Sequence, residues 1–361
     1  MNNVRMVKLG DLCEINPRAP KLTDETLISF VSMSDLSSSK ARTISETSRP
    51  YHEVKKSYTG FQDQDILIAK ITPCWENIKI GIANIKNNFG FGSTEFHVIR
   101  ASDEVTRRYL LHFLRNTHVN LQGKLRMTGS GGQKRVPAKF FEDLQVPLPS
   151  LEEQKRIVSI LDKAKSIQEA RERQLITFDR LKHSLLQETI KSSIIQEIPV
   201  GKVISLKNGS FLPAKKQDGG KFPVYGGNGV NGSHSQYMVE EPTIIIGRVG
   251  AYCGSVHITR PKSWVTDNAL IVTIQTEGIL QKYLAHVLHS INLNQYANRS
   301  GQPSISATRI KDITIPIVPL TEQEKFTKNI NNIDRQIYLI RKSLEEDKAL
   351  FVSLQSVLFD N

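Results

Sequence analysis

PLPSLEEQKRI, from Pro147 to Ile157, returns in altered form as PIVPLTEQEKF, from Pro316 to Phe326, and each copy opens a long helical pattern after a Gly/Gln-rich loop. Aligning Gln154 with Gln323 also pairs Gly132 with Gly301, Gln133 with Gln302, Asp143 with Asp312, Pro147 with Pro316 and Leu151 with Leu320, all at an offset of 169 residues. The chain is a tandem duplication. Its unit is far longer than a solenoid repeat, so the period implies two globular domains, each followed by its own helix. The expected boundaries are 1–150 for the first globule, 151–197 for the first long helix, 198–319 for the second globule and 320–361 for the second long helix.

The last segment has the clearest periodicity. Phe326, Ile330, Ile333, Ile337, Ile340, Leu344, Asp347, Phe351, Leu354 and Leu358 follow a 4,3 spacing, a heptad seam with one polar interruption. The first helix carries a looser version: Ile160, Ala164, Ile167, polar Arg171 and Gln174, then Phe178, Leu181 and Leu185. Ser150 with Glu153 and Thr321 with Glu324 read as S/T-x-x-E caps, offset by 171 rather than 169 residues. Each seam needs a partner, and the other copy is the nearest candidate. A helix of about 40 residues rises roughly 60 Å. Antiparallel pairing of two such helices would make a rod with a globule at each end, related by an approximate twofold axis. The expected fold is therefore α/β (α+β), with two pseudo-twofold-related globular domains separated by two long antiparallel coiled-coil helices.

Within the globules, Asp65–Ile71, Lys79–Ile85 and Phe96–Ile99 read as strands and Val105–Arg115 as a helix; Thr243–Val249, Gly254–Ile258 and Ala269–Ile274 read as strands and Leu280–Ser290 as a helix. Composition agrees with a globular protein: 361 residues, 39% hydrophobic and 23% charged. The longest apolar runs are strand-sized and the N-terminus lacks a signal-peptide core, so a cytoplasmic protein with no membrane partner is expected. Cys13, Cys74 and Cys253 are too far apart for a metal knuckle and odd in number, which leaves buried or incidental thiols.

Charge points to a polyanion. Of the +12 excess, +6 lies on residues 1–150 and +5 on residues 194–319, against +2 and −1 on the two helical segments. The loops TGSGGQKR (Thr128–Arg135) and RSGQPS (Arg299–Ser304) combine glycines that allow close approach to phosphate, cations that neutralise it, and a glutamine able to pair with adenine. Arg126, Ser130, Gln133, Lys134 and Arg135 form the first candidate cluster, and Arg299, Ser300, Gln302 and Ser304 the second. Lys70 and Arg248, at the ends of matching strands, join them. The second globule adds Lys215, Lys216 and Lys221 ahead of PVYGGNGVNG, where Tyr225 could stack on a base or bond a phosphate and Asn228 could read a base edge or occupy a turn, the turn being favoured. The seam candidates are Ile160, Ile167, Phe178, Leu185, Ile333, Ile337, Leu344 and Leu354.

Catalytic motifs are missing. The nearest fragment to an adenine-methylating Asn/Asp-Pro-Pro-aromatic motif is Asn16-Pro17-Arg18-Ala19, and neither a dinucleotide fingerprint nor a phosphate loop occurs. His286 and His289 lack ligand partners at metal spacing and read as packing or surface residues. No cofactor, metal or catalytic residue is expected.

The paired Pro/Glu-Gln helix starts, the long helices, IIIGRVGAYCGSV, PVYGGNG and RSGQPSI resemble the specificity subunit of type I restriction-modification systems, over essentially the whole chain. The resemblance implies a non-catalytic subunit whose globules each read half of a bipartite double-stranded DNA site. It also implies helices that act as spacer and as docking surface for two modification (methyltransferase) subunits, with restriction (motor and nuclease) subunits joining through the complex. KITPCWENIKIG in the first globule departs from GRVGAYCGSV in the second, so different base preferences are expected. A free-standing, repressor-like DNA-binding protein with two readers on a coiled-coil rod is the alternative.

Overall fold

The structure is a computed structural model and describes residues 4–130 and 132–359. The chain divides into two compact units, Met1–Arg171 with Lys342–Asn361, and Glu172–Arg341.

Each unit repeats one plan. In the first, strand Arg5–Lys8 pairs antiparallel with Gln145–Leu148; in the second, Gln196–Pro199 pairs in the same way with Thr314–Ile317. The closing strands of the two pairs keep the 169-residue offset, whereas the opening strands are what each domain adds to its own start. A short helical turn follows each opening strand, Leu9–Leu12 and Val200–Val203, and leads into the central sheet.

That sheet has the same order twice. In the first unit it runs Cys13–Ile15, Phe96–Ala101, Ile66–Ala69, Ile80–Ile82, and in the second Ile204–Asn208, Ala269–Ile274, Ile244–Gly247, Val256–Ile258, all antiparallel. Ile66–Ala69 and Ile244–Gly247 are wholly buried, which explains their continuous apolar runs. The first unit extends its sheet with Arg42–Thr43 and Leu36–Ser37 and adds a second sheet, Thr47–Pro50, Leu27–Val31, Phe89–Gly92, Thr59–Gln62. The second unit instead adds Gly229–His234, Phe222–Gly226 and Trp264–Val265.

The long helices run Leu151–Ser193 and Leu320–Phe359. The first stops at Ser193, short of the expected 197. Both start at the 169-residue offset, so the apparent drift of the caps disappears: Ser150 Oγ accepts from Glu153 N at 3.2 Å, while Thr321 lies inside the first turn and Pro319 O accepts from Glu322 N and Gln323 N. The first capping box is half formed, because the Glu153 carboxylate pairs with Arg156.

Within each unit the two helical stretches lie antiparallel. In the second, Lys182 Nζ donates to Asp334 Oδ1 at 2.6 Å, and Leu186 shares a core with Phe326 and Ile330. In the first, Arg171 pairs with the Asp347 carboxylate, Gln168 Nε2 donates to Asp347 O at 3.0 Å, and Ile157 shares a core with Phe359. All ten seam positions expected in the last helix are buried or half-buried, including Ile333, Ile337, Leu344 and Leu354. In the first helix Ile160, Phe178 and Leu185 are half-buried as expected, but Ile167 and Leu181 are corrected: they are 44% and 47% exposed. The seam runs Ile157, Leu161, Ala164, Gln168, Arg171, Leu175, Phe178, Lys182, Leu185. Gln168 and Lys182 take core-facing places because each has a bonding partner across the pair, a possibility an apolar-only template cannot see.

Candidate nucleic-acid interface

A buried glutamine ties each long helix to its globule. Gln154 Oε1 accepts from Thr106 N at 2.8 Å, and its Nε2 donates to Glu104 O and Pro149 O at 3.0 and 3.1 Å. Gln323 repeats this with Leu280 N at 2.8 Å and with Gly278 O and Val318 O, both at 3.0 Å. Neither side chain is exposed. The residues that anchor the sequence repeat thus satisfy the start of the globule's own helix, Arg107–Leu114 or Gln281–Ser290, whose first N–H groups lack intrahelical partners. Tyr109 Oη and Tyr283 Oη extend the junction by donating to Pro147 O and Pro316 O at 2.7 and 3.0 Å.

The Gly/Gln loops are held by a second repeated device. In the first unit, Thr72 N donates to Lys134 O at 3.0 Å and Val136 N to Lys70 O at 2.9 Å, while Thr128 and Arg135 exchange backbone bonds. Thr72 Oγ1 adds a bond to Gly132 O at 3.0 Å and accepts from Lys134 N at 3.2 Å. In the second unit, Gly250 N donates to Pro303 O and Ile305 N to Arg248 O, both at 2.8 Å, while Asn298 and Ser304 exchange backbone bonds. In both units, therefore, a segment continuing from the central buried strand clamps the loop and brings a basic residue, Lys70 or Arg248, beside it.

Arg126, Ser130, Gln133 and Lys134 are exposed, as are Arg299, Ser300 and Gln302; Ser304 is half-buried. A Cβ added at Gly132 or Gly301 would meet nothing within 4 Å, so the backbone there is open to a ligand. Arg135 is already engaged: its Nε and Nη2 donate to Glu95 at 2.9 and 2.8 Å, and these bonds hold the Glu95 carboxyl below the usual carboxylate range. Arg248 Nε likewise donates to Asp267 O at 2.6 Å. Under the first loop, His97 Nε2–H donates to Val136 O at 2.9 Å, and burial lowers the imidazole pKa, so the ring supports the loop in its neutral form.

Lys215, Lys216 and Lys221 are exposed, with Lys221 Nζ lying 5.0 Å from the Phe222 ring centroid. Asn228 sits in the two-residue turn between Phe222–Gly226 and Gly229–His234, as the turn reading expects. Tyr225 is a correction. It is 5% exposed, packs with Ile245, Val265 and Ala269, and its hydroxyl accepts from Arg260 N at 3.0 Å, so the ring is buried under the hairpin and its faces are not open for stacking. Thr72 and Glu95 bear no motif that marks them in the sequence, and the fastening role of Gln154 and Gln323 depends on partners such as Thr106 and Leu280 that lie far from them along the chain. His286 packs edge-on against Phe326 at 5.5 Å, and burial pushes its pKa down to about 4, in keeping with a packing residue.

A family model for the type I restriction modification DNA specificity domain matches residues 1–177 and 195–347. The EcoAI type I restriction enzyme specificity subunit of Escherichia coli is 39% identical over 196 residues, 53% of this chain and 33% of that protein. With the EcoEI specificity subunit the matched share is 32%, so the chain spans about a third of the length of these curated relatives. A crystal structure of the type I restriction-modification S subunit from M. genitalium matches 99% of this chain and 97% of its own, with a TM-score of 0.62 at 16% identity. A chain from a structure on complex assembly and conformational transition of the type I R-M system matches with a TM-score of 0.66, also at 16% identity, over 98% and 97% of the two chains. At that identity the likeness bears on the fold.

Proposed function

Because the chain belongs to the type I restriction-modification DNA specificity family, we propose that it reads a bipartite duplex site and directs the methyltransferase and restriction subunits of such a complex to it, without performing chemistry itself. The observation that carries this reading is the repeated clamp, which presents an open Gly/Gln loop beside Lys70 in one unit and beside Arg248 in the other. Each unit would read one half-site. Exposed Lys134, Arg126, Arg299 and the lysines at 215, 216 and 221 would engage phosphates, and Gln133 and Gln302 would engage base edges. Arg135 would offer DNA the N–H groups that its pairing with Glu95 leaves free. The globules 1–150 and 198–319 would serve as target recognition domains. The helices between and after them would set the spacing of the half-sites and dock the modification subunits.

Co-expression of the full chain with the methyltransferase subunits of its own system, followed by affinity purification and duplex binding, tests the reading. The expected result is co-purification together with salt-sensitive, sequence-selective binding. Selective binding by a chain that never associates with those subunits would favour a free-standing DNA-binding protein and overturn the proposal.

A further inference from the structure

One exposed aromatic side chain sits on the clamp of the second unit and has no counterpart in the first. The segment that clamps the RSGQPS loop continues from Gly250 into a tight turn ending at Ser255. Cys253 N donates to Gly250 O at 3.0 Å, Ser255 N to Tyr252 O at 3.1 Å, Gly254 N to Gly247 O and Gly247 N to Ser255 O, both at 2.8 Å. From below, Asn294 Nδ2 donates to Cys253 O at 2.8 Å, and Cys253 is 2% exposed. Gly250 and Gly254 have φ of +81° and +87°, a region that favours glycine and allows the chain to turn this sharply. The turn is thus fixed at both flanks and underneath, while Tyr252, at its tip, is 55% exposed.

Its neighbour identifies its surroundings. A Cβ built on Gly250 would lie 3.4 Å from Gln302 Nε2, so the turn abuts the candidate base-reading glutamine two residues before Tyr252. Aligning the two clamps through their bridges, Val249–Ser304 with Ile71–Arg135, sets Tyr252 opposite Cys74, a half-buried thiol. Scattered exposed apolar residues are ordinary on a protein surface. An aromatic ring held on a pinned turn beside a basic loop is different, because its backbone entropy is already spent and a tyrosine has few rotamers left to lose on binding.

We propose that Tyr252 is a specificity-determining residue of the second unit. Its ring makes apolar contact with the bases of that unit's half-site next to the base engaged by Gln302, through a thymine methyl or an opened base step. The first unit, carrying Cys74 at this place, makes no such contact. This inference rests on the DNA-reading function proposed above.

The test is selection from a randomised duplex library by the full-length chain, comparing wild type with Tyr252→Ala and Tyr252→Phe. Wild type is expected to enrich two sequence blocks. Tyr252→Ala should keep the block read by the first unit, lose definition in the other, and bind the wild-type consensus about tenfold more weakly. Tyr252→Phe should match wild type, because the ring and not the hydroxyl makes the contact. Unchanged selection by Tyr252→Ala, or equal erosion of both blocks, would overturn the proposal. Failure of wild type itself to enrich any sequence would instead defeat the underlying DNA-reading function.

Discussion

Replacing Gln323 by leucine tests whether the repeated glutamine is what fastens the last helix to the second globule. The side chain is fully buried and makes three hydrogen bonds of 2.8 to 3.0 Å, to Leu280 N, Gly278 O and Val318 O. Leucine has a similar volume, so little cavity forms and the cost is that of the lost bonds. At about 1 kcal/mol net per bond the loss is about 3 kcal/mol, and any orphaned group that water cannot reach raises it. Burying leucine in place of an amide returns part of this, which leaves about 2–4 kcal/mol. For a unit of this size that lowers the thermal transition by roughly 5–15 °C. Calorimetry should show the shift, and hydrogen exchange should show lost protection around 278–290 and 318–330. Gln154→Leu should do the same in the first unit, because it breaks an equivalent set of bonds. A transition within about 2 °C of wild type for both variants would show that these glutamines do not fasten the helices, since orphaned buried amides cannot be that inexpensive.

Three further outcomes follow from the same structure. Ile337→Asp buries an uncompensated charge and should cost several kcal/mol, on the order of 3–5, whereas Ile167→Asp on the exposed face should stay within about 0.5 in urea denaturation; the reverse ranking would contradict the observed seam. Lys134→Ala and Lys216→Ala should each lower the log–log salt slope of duplex binding by up to about 1 without altering sequence preference, and unchanged slopes would remove both lysines from the interface. His286 has a folded pKa of about 4, depressed mainly by burial and secondarily by Lys182, below its ordinary 6.5. Its contribution is therefore complete above pH 6.5 and lost as pH falls towards 4. The urea midpoint of wild type should drop across that window more steeply than that of His286→Phe, and parallel curves would count against it.

Where the sequence was legible, burial alone decided the pattern. The ten-position seam from Phe326 to Leu358, the buried strands within Asp65–Ile71 and Thr243–Val249, and the helix within Leu280–Ser290 are elements whose apolar period is enforced by one packed face. In the first helix the apolar period departs from the seam because polar Gln168 and Lys182 sit in it and are satisfied across it, while apolar Ile167 and Leu181 remain exposed. Between Leu27 and Gln62 the strands are short, some of only two residues, and pair with distant segments such as Phe89–Gly92, so no local period marks them. At the interface the glycine, glutamine and lysine content of the loops could be read directly. The pairing of Arg135 with Glu95 and the burial of Tyr225 could not, because each depends on a partner far along the chain.

On the function proposed, the two units of the chain would read DNA separately. The most direct measurement is the methylation motif, mapped by modified-base sequencing, in a host whose chain carries residues 194–319 from a relative of different specificity. These limits keep the paired strands Gln196–Pro199 and Thr314–Ile317 together and leave both long helices untouched. One block of the motif should be replaced, while the other block and the spacer length stay as they were. A motif in which both blocks change together, or in which neither does, would show that the two units do not read separate half-sites.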